Sequence, residues 1–162
     1  MRRYMLGHFF SKEILPTGYE FDSHAWPLHI TIIPNFYATN FDALLPKITA
    51  AVSNFDSFNI VVGDEAHFGP HNNVLVNEIM PNDNLHKLHS TIITLLEDGG
   101  VEFYKPNFIK DNYKPHITAQ PSERVYEGDI LNIHGLAVVQ LEPNGIPHER
   151  VIVRNDIFLK NK

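Results

Sequence analysis

Two histidines and two threonines stand out, because they occur twice in the same order. The chain reads Trp26-Pro27-Leu28-His29-Ile30-Thr31-Ile32-Ile33-Pro34, and later Tyr113-Lys114-Pro115-His116-Ile117-Thr118-Ala119-Gln120-Pro121. Both copies are H-I-T-x-x-P with a proline just upstream. Ile and Thr favour strands, and the flanking prolines are expected to mark strand ends. On a strand, residues two apart share a face, so each histidine lies beside its threonine while the isoleucine between them turns to the core. If the halves of the chain pack together, two imidazole–hydroxyl pairs line one cleft. One imidazole can then take a proton from an attacking water or hydroxyl, and the other can give one to a leaving oxygen. The hydroxyls of Thr31 and Thr118 can hydrogen-bond the non-bridging oxygens of a phosphate held between them. Such a pair suffices for in-line cleavage of a phosphodiester, and the chemistry requires no metal or other cofactor. A chance recurrence on ordinary half-exposed strands is the competing reading.

The elements that must position these residues are legible in outline. Tyr4 to Phe10 reads as a first strand, with Gly7 marking a bulge or a close backbone approach. Residues 11 to 25 read as a loop. Leu28 to Ile33 carries the first motif. Phe41, Leu44, Leu45, Ile48, Val52 and Phe55 form a helical stripe, in which Pro46 implies either a start near Leu45 or a kink. Asn59 to Gly63 and Asn73 to Ile79 form a hairpin about the Gly69-Pro70 turn. Pro81 to Leu96 is the clearest helix, capped by Asn82 or Asn84 and ended by Gly99-Gly100. His86 and His89 on it read as surface histidines. The second motif strand spans Tyr113 to Gln120, and Ile130 to Leu141 and Arg150 to Leu159 are further strands. The expected fold is α+β: two lobes, two mainly antiparallel sheets facing a central cleft, and helices on the outer faces, as a single unit over residues 1–162.

Other residues have two readings each. Trp26 is either a platform for a base or a packing anchor, and packing is favoured. The segment with Phe103, Tyr104, Lys105, Phe108 and Lys110 is a candidate substrate-contacting loop. Tyr113 and Lys114 are further candidates for contact. With Lys105 and Lys110, Lys114 forms a basic cluster that either supplies a counter-charge to phosphate or is a solvated surface.

Composition narrows the classes. The 162 residues carry a formal net charge of −6 and no cysteine, which excludes disulfides and thiolate chemistry. An acidic surface disfavours tight binding of long nucleic acid but admits a nucleotide or an RNA end. No apolar run is long enough for a signal peptide or a membrane span, so a cytoplasmic location is expected.

The two H-h-T motifs, one per half, resemble the two-histidine phosphoesterase superfamily, which includes the bacterial 2′-5′ RNA ligases and the RNA 2′,3′-cyclic phosphodiesterases. The closer match is Lys114-Pro115-His116-Ile117-Thr118-Ala119. Ile33-Pro34-Asn35 and Gln120-Pro121 differ from the segments that follow the motifs in better-known members. The resemblance implies a two-lobed duplicated fold and a 2′,3′-cyclic phosphate or 2′-5′ phosphodiester as substrate. It further implies His29 as acid to the leaving group, His116 as base to water, and a cleft-lining first strand that brings in Tyr4 or His8. Rival readings are a non-catalytic binder of nucleotides or RNA ends, and an esterase of a non-RNA cyclic phosphate.

Overall fold

In the computed structural model, which describes residues 1–161, ten strands and two α-helices are built around one long antiparallel sheet. The strands are β1 (Arg2–Phe9), β2 (Glu20–Asp22), β3 (His29–Ala38), β4 (Phe58–Phe68), β5 (Val74–Ile79), β6 (Glu102–Phe103), β7 (His116–Thr118), β8 (Ile130–Ile133), β9 (Gly135–Leu141) and β10 (Glu149–Phe158); the helices are α1 (Leu45–Val52) and α2 (Asp83–Asp98). The strand order is β2-β10-β9-β1-β3-β7-β5-β4-β8, with β6 also on β3. The expected α+β, mainly antiparallel architecture is present. Its halves meet edge to edge where the two motif strands, β3 and β7, pair.

Local sequence accounts for the elements. α1 starts with Pro46 in its first turn, where a missing N–H costs nothing. The Asn82 side chain accepts the Leu85 N–H (2.9 Å) and caps α2, whose buried stripe includes Leu85, Leu88, Ile92 and Leu96. Both helices join a core with Ile30, Ile32, Ile33, Phe36 and Ile117. No helix among the described residues is long and apolar enough to cross a membrane.

Several boundaries differ from the sequence expectation. β3 does not stop at Pro34 but runs on to Ala38. Tyr4 pairs with Phe36 and Leu6 with Ile33, so β3 carries an extra residue there. Pro34 sits in that bulge, between the partners β7 at Ile30 and β6 at Phe36, where no ladder bond is lost. The expected single strand from Ile130 to Leu141 breaks at His134. Its first part, β8, pairs with β4, and its second, β9, lies between β1 and β10 on the opposite side of the sheet. The loop of residues 11–25 contains β2, which pairs with β10.

Gly7 shows the close approach anticipated for it. It pairs with Thr31, and a Cβ placed there would lie 2.8 Å from the Ile30 carbonyl oxygen, inside the first motif. Gly7→Ala is therefore expected to lower stability by about 1–3 kcal/mol, the usual cost of overpacking. A smaller change in the urea midpoint would mean that β1 and β3 can separate without strain.

Candidate active site

The antiparallel pairing of Ile30 with Ile117 sets the geometry. It places His29 across from Thr118 and Thr31 across from His116. The four side chains share one face, while Ile30 and Ile117, both fully buried, turn to the other. The two histidines are diagonal neighbours, about 7–8 Å apart along and across the strands. Both imidazoles can therefore reach one phosphate between them.

Each imidazole is held in the same way. His29 Nδ1–H donates to the Pro27 carbonyl at 2.9 Å, and His116 Nδ1–H donates to the Lys114 carbonyl at 2.8 Å. A carbonyl only accepts, so Nδ1 carries the hydrogen and Nε2 keeps the lone pair for proton transfer. Burial holds both rings below the ordinary imidazole range. His29 is lowered to about 4, chiefly by burial and also by the nearby His116, against the Pro27 bond. His116 is lowered by burial, while the Lys114 carbonyl and the charge of Glu78 pull the other way.

A second layer fixes β3 from beneath. Tyr113, nearly fully buried, donates its hydroxyl to the Thr31 carbonyl at 2.6 Å. His89 stacks on Tyr113 at 4.0 Å and 4°, donates from Nδ1 to the Ile32 carbonyl (2.7 Å), and accepts the Lys110 N–H at Nε2 (2.9 Å). His89 is thus a buried brace, not the surface histidine expected from its place on α2. The sequence offers one signal for this: His89 follows Leu88 and precedes Ile92 and Ile93 on the buried side of the stripe.

A cleft of about 580 Å³ opens on this face. Thr31, His116, Tyr113 and Lys114 line it, joined by Phe68 from β4 and by Tyr104, Lys105 and Phe108 from the loop after β6. Phe68 stands edge-on to His116 at 4.8 Å. Tyr104 and Phe108 are half-exposed, and Lys105 lies 5.8 Å from each ring. Tyr104, Lys105 and Phe108 of the anticipated segment are therefore at the cleft, whereas Phe103 packs against the core and Lys110 turns away to pair with Glu97 at 2.8 Å. Phe68 and Glu78 carry no such signal, since nothing in a hairpin sequence shows which neighbour its edge will find.

Two other candidate contacts, Tyr4 and Trp26, take packing positions, the reading favoured for Trp26. Tyr4 is buried against Phe36 and Phe41, on the core side of the sheet, and does not line the cleft. Trp26 lies against the His29 ring at 4.6 Å and 31°, backed by Phe21, so it packs on the imidazole from behind. His8 is also buried, with His134 at 3.3 Å.

This fold and site define a two-histidine phosphoesterase architecture. The model of the 2′-5′ RNA ligase superfamily matches residues 16–132, which hold both motifs, and the chain belongs to that superfamily. Solved structures share the fold along the full length. The protein TT0787 of Thermus thermophilus is 16% identical, with a TM-score of 0.62 and 99% of each chain covered. Escherichia coli LigT complexed with 3′-AMP is 12% identical, with a TM-score of 0.64 and 98% of each chain covered. A structure described as a phosphoesterase is 13% identical, with a TM-score of 0.62, covering 98% of this chain and 99% of the other. No curated protein matches the chain.

The lowered histidines have a consequence for stability. A ring kept neutral in the fold binds its proton more readily once unfolded. Stability is then complete above about pH 6.5 and falls as pH drops toward the folded values. For His29 the window reaches down to about 4, and for His8, also desolvated by burial, to about 3. The urea midpoint should fall steadily from pH 7 to pH 5, and less steeply in His29→Ala. An equal slope in that variant would show that His29 is not desolvated in solution.

Proposed function

We propose that the chain is a phosphodiesterase that opens a 2′,3′-cyclic phosphate on a nucleotide or an RNA end, or cleaves a 2′-5′ phosphodiester, by proton transfer between His29 and His116 without a metal. The observation that carries the reading is the duplicated brace. Two imidazoles on paired strands each have Nδ1 tied to the carbonyl two residues back, leaving both Nε2 atoms for chemistry. The structural His89, by contrast, is bonded through both nitrogens. Thr31 and Thr118 then bind the non-bridging oxygens, and Lys105 and Lys114 supply the positive charge.

The substrate class follows from the cleft lining. Exposed aromatic faces beside a phosphate site are suited to stacking a base, and the net charge of −6 restricts the partner to a nucleotide or a chain end. LigT, of the same fold, has been solved with phosphate and with ATP, as well as with 3′-AMP.

The test is turnover of a panel of 2′,3′-cyclic nucleotides and a short RNA ending in a cyclic phosphate. His29→Ala and His116→Ala should each lower kcat by about 10²–10⁴, the scale of a lost general acid or base, and EDTA should leave the wild-type rate unchanged. Binding of nucleotide without any turnover by the folded wild-type protein would instead identify a non-catalytic binder. Phe108→Ala should raise KM for a cyclic nucleotide about tenfold, the value of one stacked base. An unchanged KM would remove the base from this end of the cleft.

A further inference from the structure

The two motifs are alike, but their surroundings are not. This asymmetry assigns the roles of the two histidines, given the phosphodiesterase reading above. His29 is half-buried, with Trp26 at 4.6 Å and Phe9 at 5.5 Å from its ring, and lies outside the cleft lining. His116 faces the cleft. In-line displacement at a cyclic phosphate has a bulky side, where the sugar and its substituent sit, and an opposite side that must admit only a water. The room for a sugar and base lies beside His116.

Charge divides in the same direction. The Ile79 N–H donates to the Pro115 carbonyl (3.1 Å) and the Ala119 N–H to the Leu75 carbonyl (3.0 Å). Those bonds make Glu78 and His116, which are register partners, a non-hydrogen-bonded pair, the kind whose side chains approach more closely. Glu78 is therefore the carboxylate-bearing residue opposite His116 in the register, and its charge favours the protonated imidazole, against the effect of burial. The other charged or titratable groups around His116 are His29 on β3, His67 at the end of β4, Tyr113 and Lys114 just before it, and Lys105 and Tyr104 across the cleft. None of these is a carboxylate. On the other side, Glu123 turns to the Leu28 amide, at 3.4 Å.

We propose that His116 protonates the leaving sugar oxygen, that His29 takes the proton of the attacking water, and that Glu78 is a positioning residue for His116. This reverses the order that the family resemblance implies. The Nε2 lone pair of His29 removes a proton as the water oxygen bonds to phosphorus. The bond from phosphorus to the leaving oxygen breaks, and that oxygen receives the Nε2 proton of His116. The cycle leaves His29 charged and His116 neutral, and proton exchange with solvent resets both.

The roles are separable with two substrates: a nucleoside 2′,3′-cyclic phosphate, whose alkoxide needs a proton to leave, and 4-nitrocatechol cyclic phosphate, whose nitrophenolate does not. His116→Ala should be impaired by about 10²-fold or more on the nucleotide yet within about tenfold of wild type on the aryl substrate, while His29→Ala is impaired on both. Recovery by His29→Ala instead, or by neither variant, overturns the assignment. Independently of turnover, NMR titration of the ring resonances should place His116 above His29. Glu78→Gln should lower the His116 value and pull the basic limb of kcat/KM to lower pH, whereas Glu123→Gln leaves both where they are. A His29 value above that of His116, or no response to Glu78→Gln, also overturns the proposal. Failure of the wild type on both substrates would count against the phosphodiesterase reading itself, and the titrations would then decide the charge assignment alone.

Discussion

Everything at the candidate site depends on one cross-strand contact, the pairing of Ile30 with Ile117. Both side chains are fully buried beneath the sheet, so hydrophobic burial holds the register. A slip of one residue would turn one strand's isoleucine to solvent and its histidine into the core, and part the two imidazole–hydroxyl pairs. The same contact joins the halves of the sheet, and the residues that hold the fold together at its seam alternate with those that carry the chemistry. Stability and function are interleaved residue by residue there.

The second layer works on the backbone. Tyr113 and His89 grip the carbonyls of Thr31 and Ile32, consecutive residues of β3. Burial raises the Tyr113 hydroxyl well above its usual range, so it remains a donor at any working pH. His89, lowered by burial, stays neutral and keeps the lone pair that accepts the Lys110 amide. Two titratable side chains thereby act as fixed struts, and the loop that carries Tyr104 and Phe108 is tied through Lys110 to the strand that carries Thr31.

The chemistry-bearing motifs, the amphipathic helices and the aromatic loop are legible in the sequence because each is written in a few consecutive residues: a strand alternation, a stripe at helical spacing, a cluster of rings. What is not legible depends on neighbours distant in sequence. Glu78 sits at an ordinary exposed strand position, and only the β5–β7 register brings it to His116. Tyr4 reads equally well on either face of β1, and only its pairing with Phe36 places it on the core side. The alternation through Ile130–Leu141 runs unbroken, although the chain changes sheet partner at His134, because alternation reports faces and not neighbours. His89 is set apart from His86 only by its place on the buried side of the α2 stripe, and nothing local says which carbonyl its ring will hold.

The brace on each imidazole comes from the chain two residues back, at Pro27 and at Lys114. Orientation of the ring, choice of tautomer and presentation of Nε2 are thus encoded within a single tripeptide of backbone. No distant carboxylate is needed to set the orientation or the tautomer of either ring. Each half-site is a self-contained cassette, and two copies need only an edge on which to meet. For the orientation of the two rings, the rest of the chain has only to keep the two strands paired.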